Sequence, residues 1–197
     1  MEISVGISGA SGAAYSVRLL QALVDQPEIE RIHLVISTNG FTLLKQEMAI
    51  SLSQKNFKVE QLIGKATKKI RFYDNMNFYS PIASGSYPTS GMIIIPCSTG
   101  TLGAIASGTS GNLMQRGAEV VLKERKKLVL VIRETPMSSI HLENCLRVTQ
   151  AGGLILPASP GFYHRPTAIN DLIDFVVARA LDQFDLNHNI GKRWGKE

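Results

Sequence analysis

Six short runs rich in valine and isoleucine alternate with stretches of helical periodicity, and this alternation restricts the chain more than any other feature. The strand-like runs cover residues 3–7, 32–37, 70–73, 91–96, 128–132 and 154–156, and the helix-like stretches cover 13–24, 41–48, 102–106, 113–122, 139–151 and 169–185. Strands apolar on both faces must be covered on both faces, and parallel neighbours need a crossover long enough to hold a helix. The pattern predicts a three-layer, Rossmann-like α/β fold with a mostly parallel six-stranded sheet. A length of 197 residues suffices for one such core, so a single domain is expected over 1–186 and a polar tail over 187–197. Trp194 would be costly to leave bare in that tail and is expected to dock on the body or on another subunit.

Composition removes several classes of protein. With 44% hydrophobic and 19% charged residues the chain reads as a soluble globular protein, and no apolar run approaches the roughly 18 residues of a membrane span. The start, Glu2-Ile3-Ser4-Val5, lacks the basic and apolar parts of a secretory signal, so a cytoplasmic location is expected. Cys97 and Cys145 form neither a disulfide framework nor a metal-ligand spacing, and structural zinc is not expected. The net charge of +5 suits an anionic ligand or a nucleic acid. Its one dense run, Lys123-Glu124-Arg125-Lys126-Lys127, ends a helical stretch, where cations suit the negative end of the dipole. Without interleaved aromatics or a known module, nucleic-acid binding is not expected.

Ligands of parallel sheets bind outside the carboxyl ends of the strands, so the residues just after each strand are the ones to read. The first turn, Gly6-Ile7-Ser8-Gly9-Ala10-Ser11-Gly12, joins a strand to a helix, where backbone N–H groups and the helix dipole favour a phosphate. It is not the dinucleotide fingerprint: Ser8 stands where GxGxxG needs its second glycine. The second strand ends at Ser37 with no carboxylate before Glu47 to bind a ribose hydroxyl. FMN, with one phosphate and a ribityl chain, fits such hydroxyl-rich turns better than NAD does, although a Gly-Ser turn alone is equally well a tight turn.

Further residues narrow the reading. Pro96-Cys97-Ser98-Thr99-Gly100-Thr101 supplies more donors at a helix start, with Cys97 read as a buried small residue because no nearby base would make a thiolate. Arg133-Glu134 places a cation and a carboxylate at the sheet's carboxyl edge, able to hold an anion and move a proton, or to form a surface ion pair. Tyr163, in Gly161-Phe162-Tyr163-His164-Arg165-Pro166, is a core aromatic or a phosphate ligand. Arg179, flanked by Val176, Val177, Ala178 and Ala180, must find a carboxylate or a ligand anion. His33 and His188 carry no motif and are read as structural or surface residues.

Taken in order, the first turn with Tyr15, the run from Pro96 to Leu102, Val121-Leu122-Lys123-Glu124-Arg125, Arg133-Glu134-Thr135-Pro136 and Phe162-Tyr163-His164-Arg165-Pro166 resemble the UbiX-type flavin prenyltransferases. The resemblance covers nearly the whole chain. It implies an enzyme that joins the dimethylallyl group of dimethylallyl monophosphate to N5 and C6 of reduced FMN without a metal. It further implies a homododecamer whose prenylated FMN serves UbiD-type decarboxylases in ubiquinone synthesis and aromatic acid metabolism. Carried over by motif, Gly9, Ala10, Ser11, Ser37, Ser98, Thr99, Gly100, Thr101 and Arg133 become FMN contacts. Ser84, Arg116, Lys123, Arg133, Tyr163 and Arg179 become the prenyl phosphate site, and Glu134 and Glu47 the acidic groups that manage protons. Phe78 stands where some relatives place a tryptophan, which leaves to it the aromatic wall over the prenyl group.

That chemistry suits those residue types. Breaking an allylic C–O bond leaves a cation and a phosphate dianion, which calls for basic side chains such as Lys123, Arg133 and Arg179 and for a π surface. Two other readings stand beside it. An FMN-dependent cysteine decarboxylase of the phosphopantothenoylcysteine type would need a Pro-x-Met-Asn-x-x-Met-Trp stretch, of which Asn75-Met76-Asn77-Phe78 is a faint echo, and would leave Lys123, Arg133 and Arg179 without purpose. A non-catalytic flavin carrier would explain the FMN turns but not a second set of anion ligands.

Overall fold

A computed structural model describes residues 1–191 and 193–195; of the expected tail, Lys192, Lys196 and Glu197 lie outside the described residues. The elements are β1 (Glu2–Ile7), α1 (Ala13–Asp25), β2 (Arg31–Ile36), α2 (Thr38–Met48), α3 (Val59–Ile63), β3 (Ile70–Tyr73), β4 (Gly91–Cys97), α4 (Thr99–Ala106), α5 (Leu113–Lys123), β5 (Lys127–Ile132), α6 (Ser139–Gln150), β6 (Leu154–Pro157) and α7 (Ile169–Asp182). The six strands form one sheet in the order 3-2-1-4-5-6, and every pairing is parallel. After β3 the chain crosses to the far side of β1, which puts the switch point between β1 and β4.

Strand alternation sorts the core into two layers. Ile3, Val5, Ile32, Leu34, Ile93, Ile95, Val129 and Val131 pack against α1, α2, α3 and α7, while Met92, Ile94, Leu128, Leu130 and Ile132 face α4, α5 and α6. β4 is buried along its whole length because both layers close over it. Burial of such apolar side chains, each contributing about 1.5–3 kcal/mol, holds the sheet, and the strand ends are left to the turns.

Helix starts explain where the boundaries depart from expectation. α2 begins at Thr38 rather than 41 because the Ser37 hydroxyl caps it by accepting the Gly40 N–H at 3.0 Å. α4 begins at Thr99 for the same reason, with Ser98 accepting from Thr101 at 3.3 Å. Polar and glycine residues that read as loop are thus the first turns of helices under their caps. The five-residue α3 was not expected, and α7 stops at Asp182, short of 185, where Asp185 takes a left-handed conformation (φ 57°). His33 and His188 are both buried, and Arg125 and Lys127 are exposed beyond the end of α5 as expected.

Candidate active site

The turns after β1, β2 and β4 converge on the switch point through a brace that Ser8 provides. Its buried hydroxyl donates to the Pro96 carbonyl at 2.8 Å and accepts the Ser98 N–H at 2.8 Å, which locks the first turn to the start of α4. The Ser37 N–H donates to the Ile7 carbonyl at 2.9 Å and brings in the second strand. Gly9 is needed for this approach: a Cβ there would lie 2.6 Å from the Cβ of Asn39 in the first turn of α2. Gly9, Ala10, Ser11, Ser37 and the Ser98–Thr101 turn therefore share one rim. Three hydroxyls, Ser37, Ser98 and Thr101, sit at helix starts whose N–H groups face the same edge.

Glu47 reaches this rim from the end of α2. Its Oε2 accepts the N–H groups of Gly12 at 2.9 Å and Ala13 at 2.8 Å, and so caps α1, whose N-cap Gly12 (φ 118°) has no side chain to do so. Burial pushes the Glu47 carboxyl up, but the Gly12 N–H, the Ser11 hydroxyl, the Ala13 N–H and the charge of Arg133 outweigh it and hold it below its ordinary value. Glu47 is therefore an anion beside a serine hydroxyl.

Arg133 and Glu134 close the rim after β5. The Arg133 N–H donates to the Cys97 carbonyl at 3.4 Å, and among the described residues its buried Nε has no hydrogen-bond partner. Glu134 is held on both oxygens, by the Thr99 hydroxyl at 3.4 Å and the Thr135 N–H at 3.0 Å. Arg133 and Glu134 also line a cavity of about 260 Å³ together with Met137, Leu142, Cys145 and Ile155. Cys97 is fully buried and its thiol is pushed well up by burial, which suits the small-residue reading.

Ser84, Arg116 and Lys123 form a separate group. Arg116 Nε donates to the Ala83 carbonyl at 3.1 Å, Lys123 pairs with Glu124, and a Cβ on Gly85 would lie 2.6 Å from Lys123 Nζ. Lys123 sits where α5 ends, by the amino ends of the strands, since the next turn leads into β5 and Lys126 Nζ reaches the Tyr87 carbonyl, whereas Arg116 lies near the start of α5 and pairs with Glu119 at 3.0 Å. A strand of six residues spans about 20 Å, so one chain does not bring Lys123 to Arg133.

Tyr163 and Arg179 form a third group beyond the edge strand β6. Arg179 borders a hollow of about 400 Å³ between β6 and α7, together with Leu154, Pro157, Ser159 and Phe175. It is exposed and finds its carboxylate in Asp182, at 3.0 Å. Tyr163 packs edge-on against Phe175, with ring centroids 5.8 Å apart, and against Trp194 at 5.1 Å, so Trp194 meets the body although 79% of it stays exposed. Phe78 is part of an exposed turn with Met76 and Tyr79.

Sequence reading assigned no role to Ser8, whose partners Pro96 and Ser98 lie about 90 residues on, or to Asp182, whose partners Arg179, His188 and Arg193 meet it only because the chain folds back after α7. Asn75, noted only as an echo of another motif, is occupied structurally: its backbone and side-chain oxygens accept the N–H groups of Leu113 and Met114 at the start of α5. Among the described residues no group of three or more His, Cys, Asp or Glu could hold a metal ion, and no helix is long and apolar enough to cross a membrane.

Hydroxyl-capped helix starts, backbone donors and a half-buried arginine at the switch point of a parallel sheet define a mononucleotide-binding α/β protein. The chain belongs to the Flavoprotein family, whose model matches residues 1–181, and within it to the UbiX-type flavin prenyltransferases. It is 47% identical over 194 residues to the flavin prenyltransferase UbiX of Halalkalibacterium halodurans, covering 98% of this chain and 93% of the relative. A dodecameric FMN-dependent UbiX-like decarboxylase from Escherichia coli O157:H7 superposes with a TM-score of 0.87 at 40% identity, over 100% of both chains. AnUbiX in complex with FMN and dimethylallyl pyrophosphate superposes with a TM-score of 0.85 at 38% identity, over 100% of this chain and 98% of that one.

Proposed function

We propose that this protein transfers the dimethylallyl group of dimethylallyl monophosphate to N5 and C6 of reduced FMN and releases prenylated FMN to a UbiD-type decarboxylase in the cytoplasm. The observation that carries the reading is the presence of two further basic clusters besides the flavin rim, Arg116 and Lys123 beside the Ser84 turn and Arg179 on the helix that packs against Tyr163, which we read as ligands of a second anion. A flavin carrier has no use for them.

The rim fits FMN by its donors. Ser37, Ser98, Thr99 and Thr101 offer hydroxyls to a phosphate and a ribityl chain, Gly9 lets the backbone approach, and the unpartnered buried Nε of Arg133 suits an anion. Reduced FMN, when bound, supplies the electron-rich N5 and C6 that accept the allyl group. Glu47, kept ionised by its backbone donors, accepts a proton through the Ser11 hydroxyl. Glu134, held by Thr99 and Thr135 beside Arg133, handles the proton at the leaving phosphate. The basic side chains stabilise that phosphate as its charge develops.

Because Lys123 and Arg133 of one chain lie near opposite ends of the strands, we read the complete site as shared between neighbouring subunits of a homo-oligomer, in a dodecamer. Exposed Met76, Tyr79, Ile140, Leu146 and Phe162 give such neighbours apolar surface to cover. Anaerobic incubation with reduced FMN and dimethylallyl monophosphate, followed by mass spectrometry of the released flavin, tests the reading. A mass gain of one prenyl unit is expected, and unmodified FMN would overturn it.

A further inference from the structure

Asp182, the last residue of α7, is the most heavily used carboxylate among the described residues. Its side chain is only 17% exposed. Oδ2 accepts from Arg179 Nη1 at 3.0 Å and from Arg193 Nη1 at 3.3 Å. Oδ1 accepts from Arg193 Nη2 at 2.6 Å and pairs with His188 Nε2 at 3.1 Å. His188 Nδ1 accepts the Ile190 N–H at 3.2 Å, which leaves Nε2 facing both Asp182 Oδ1 and, at 3.1 Å, Arg193 Nη2. Arg193 thus grips both carboxylate oxygens, the strong two-point arrangement of a guanidinium on a carboxylate.

These bonds join two things that α7 alone would not join. One is the Arg179 guanidinium, bound to Asp182 through Nη1 only, which leaves its Nε–Nη2 edge available to an anion. The other is the segment after α7, which doubles back over that helix: Phe184, Leu186 and His188 are buried, and Gly191 packs near the Asp174 carbonyl and the Cβ of Ala178. One residue past Arg193, Trp194 meets Tyr163 edge-on. A single carboxylate therefore ties the orientation of Arg179 to the docking of the C-terminal strap on Tyr163.

We infer that Asp182 is a positioning residue for the anion subsite formed by Arg179 and Tyr163, acting on Arg179 directly and on Tyr163 through Arg193, His188 and the strap. The inference rests on the reading of that subsite as the place of the prenyl phosphate. An isolated surface ion pair would contribute little. Asp182 differs because its carboxylate is mostly buried and its loss leaves two guanidiniums without their shared partner.

The test combines steady-state kinetics with fluorescence of Trp194, the only tryptophan in the chain. Asp182→Asn is expected to raise KM for dimethylallyl monophosphate about tenfold, as for the loss of a charge-assisted hydrogen bond. FMN affinity and kcat at saturation stay near wild type, and the fluorescence anisotropy of Trp194 falls in the ligand-free protein as the strap loosens. Asp182→Glu restores much of both signals, and Arg193→Gln, which cuts only the strap tether, lowers the anisotropy with a smaller rise in KM. Wild-type KM and anisotropy in Asp182→Asn would overturn the inference, as would equal losses of FMN affinity and prenyl phosphate affinity. Failure of the wild type to use the prenyl donor would instead defeat the functional reading, while the anisotropy still reports on the clamp.

Discussion

The Ser8 hydroxyl and the Ser98 N–H meet at 2.8 Å across the switch point, and the same hydroxyl donates to the Pro96 carbonyl, so one buried atom holds the turns of β1 and β4 in register. Ser8→Ala is expected to leave the half-buried Ser98 N–H without a partner, while the Pro96 carbonyl keeps the Ser8 backbone N–H at 3.3 Å, at a cost of about 1–3 kcal/mol. Thermal denaturation and FMN titration should both register the loss, since the brace serves fold and rim alike.

Gly9→Ala places a methyl carbon 2.6 Å from the Cβ of Asn39, which no rotamer change relieves because both atoms are fixed to backbone. Pushing α2 away is expected to cost about 1–3 kcal/mol and to weaken FMN binding by at least tenfold. Flavin absorbance retained through gel filtration is the direct check.

Glu47 gives the protein a pH dependence of known sign. Its carboxyl titrates below its ordinary value of 4.5 when folded, so its stabilising contribution is complete above about 4.5 and is lost as pH falls through the lower folded value. Melting temperature followed from pH 6 downward should show Glu47→Gln with a shallower acid decline than wild type. An identical decline would mean that the α1 cap contributes nothing to acid sensitivity.

Glu134→Gln can keep the Thr135 N–H on its amide oxygen and donate to the Thr99 hydroxyl, but it has no carboxyl group to take up or give a proton. FMN binding is expected to persist while prenylation slows by roughly 10²-fold or more, as for a lost general acid. Single-turnover kinetics with reduced FMN measures this, and unchanged turnover would take Glu134 out of the chemistry.

In the proposed shared site the Lys123 cluster serves a neighbour's rim, so Lys123→Ala should be inactive for a different reason. Oligomers reassembled from a mixture of Lys123→Ala and Glu134→Gln chains contain some sites with both native groups. Activity above that of either parent is expected, and none would follow if each chain were self-sufficient.

Local pattern made much of this molecule legible in advance. The β-branched runs mark all six strands because burial on both faces demands apolar residues at most positions of β1, β4 and β5. The hydroxyl and glycine turns after β1, β2 and β4 stood out because helix starts and tight approaches need those residue types, and Ser37 and Ser98 are indeed caps. Cys97 read as a buried small residue because no base stands near it in sequence, and the structure buries it at the end of β4.

Other features came only from the chain's path through space. Glu47 caps a helix 34 to 35 residues before it, Ser8 braces a turn some 90 residues away, and Arg133 and Lys123, ten apart in number, end up near opposite ends of the sheet. Arg179 looked like a cation in want of an anion, but that Asp182 answers it together with Arg193 and His188 depended on the strap folding back over α7. Sequence by itself determined the elements and the kind of chemistry, because hydrophobic periodicity and capping act between near neighbours. Tertiary structure decided which charges meet, because an ion pair depends on distance in space and burial, and the strand order 3-2-1-4-5-6 fixes both.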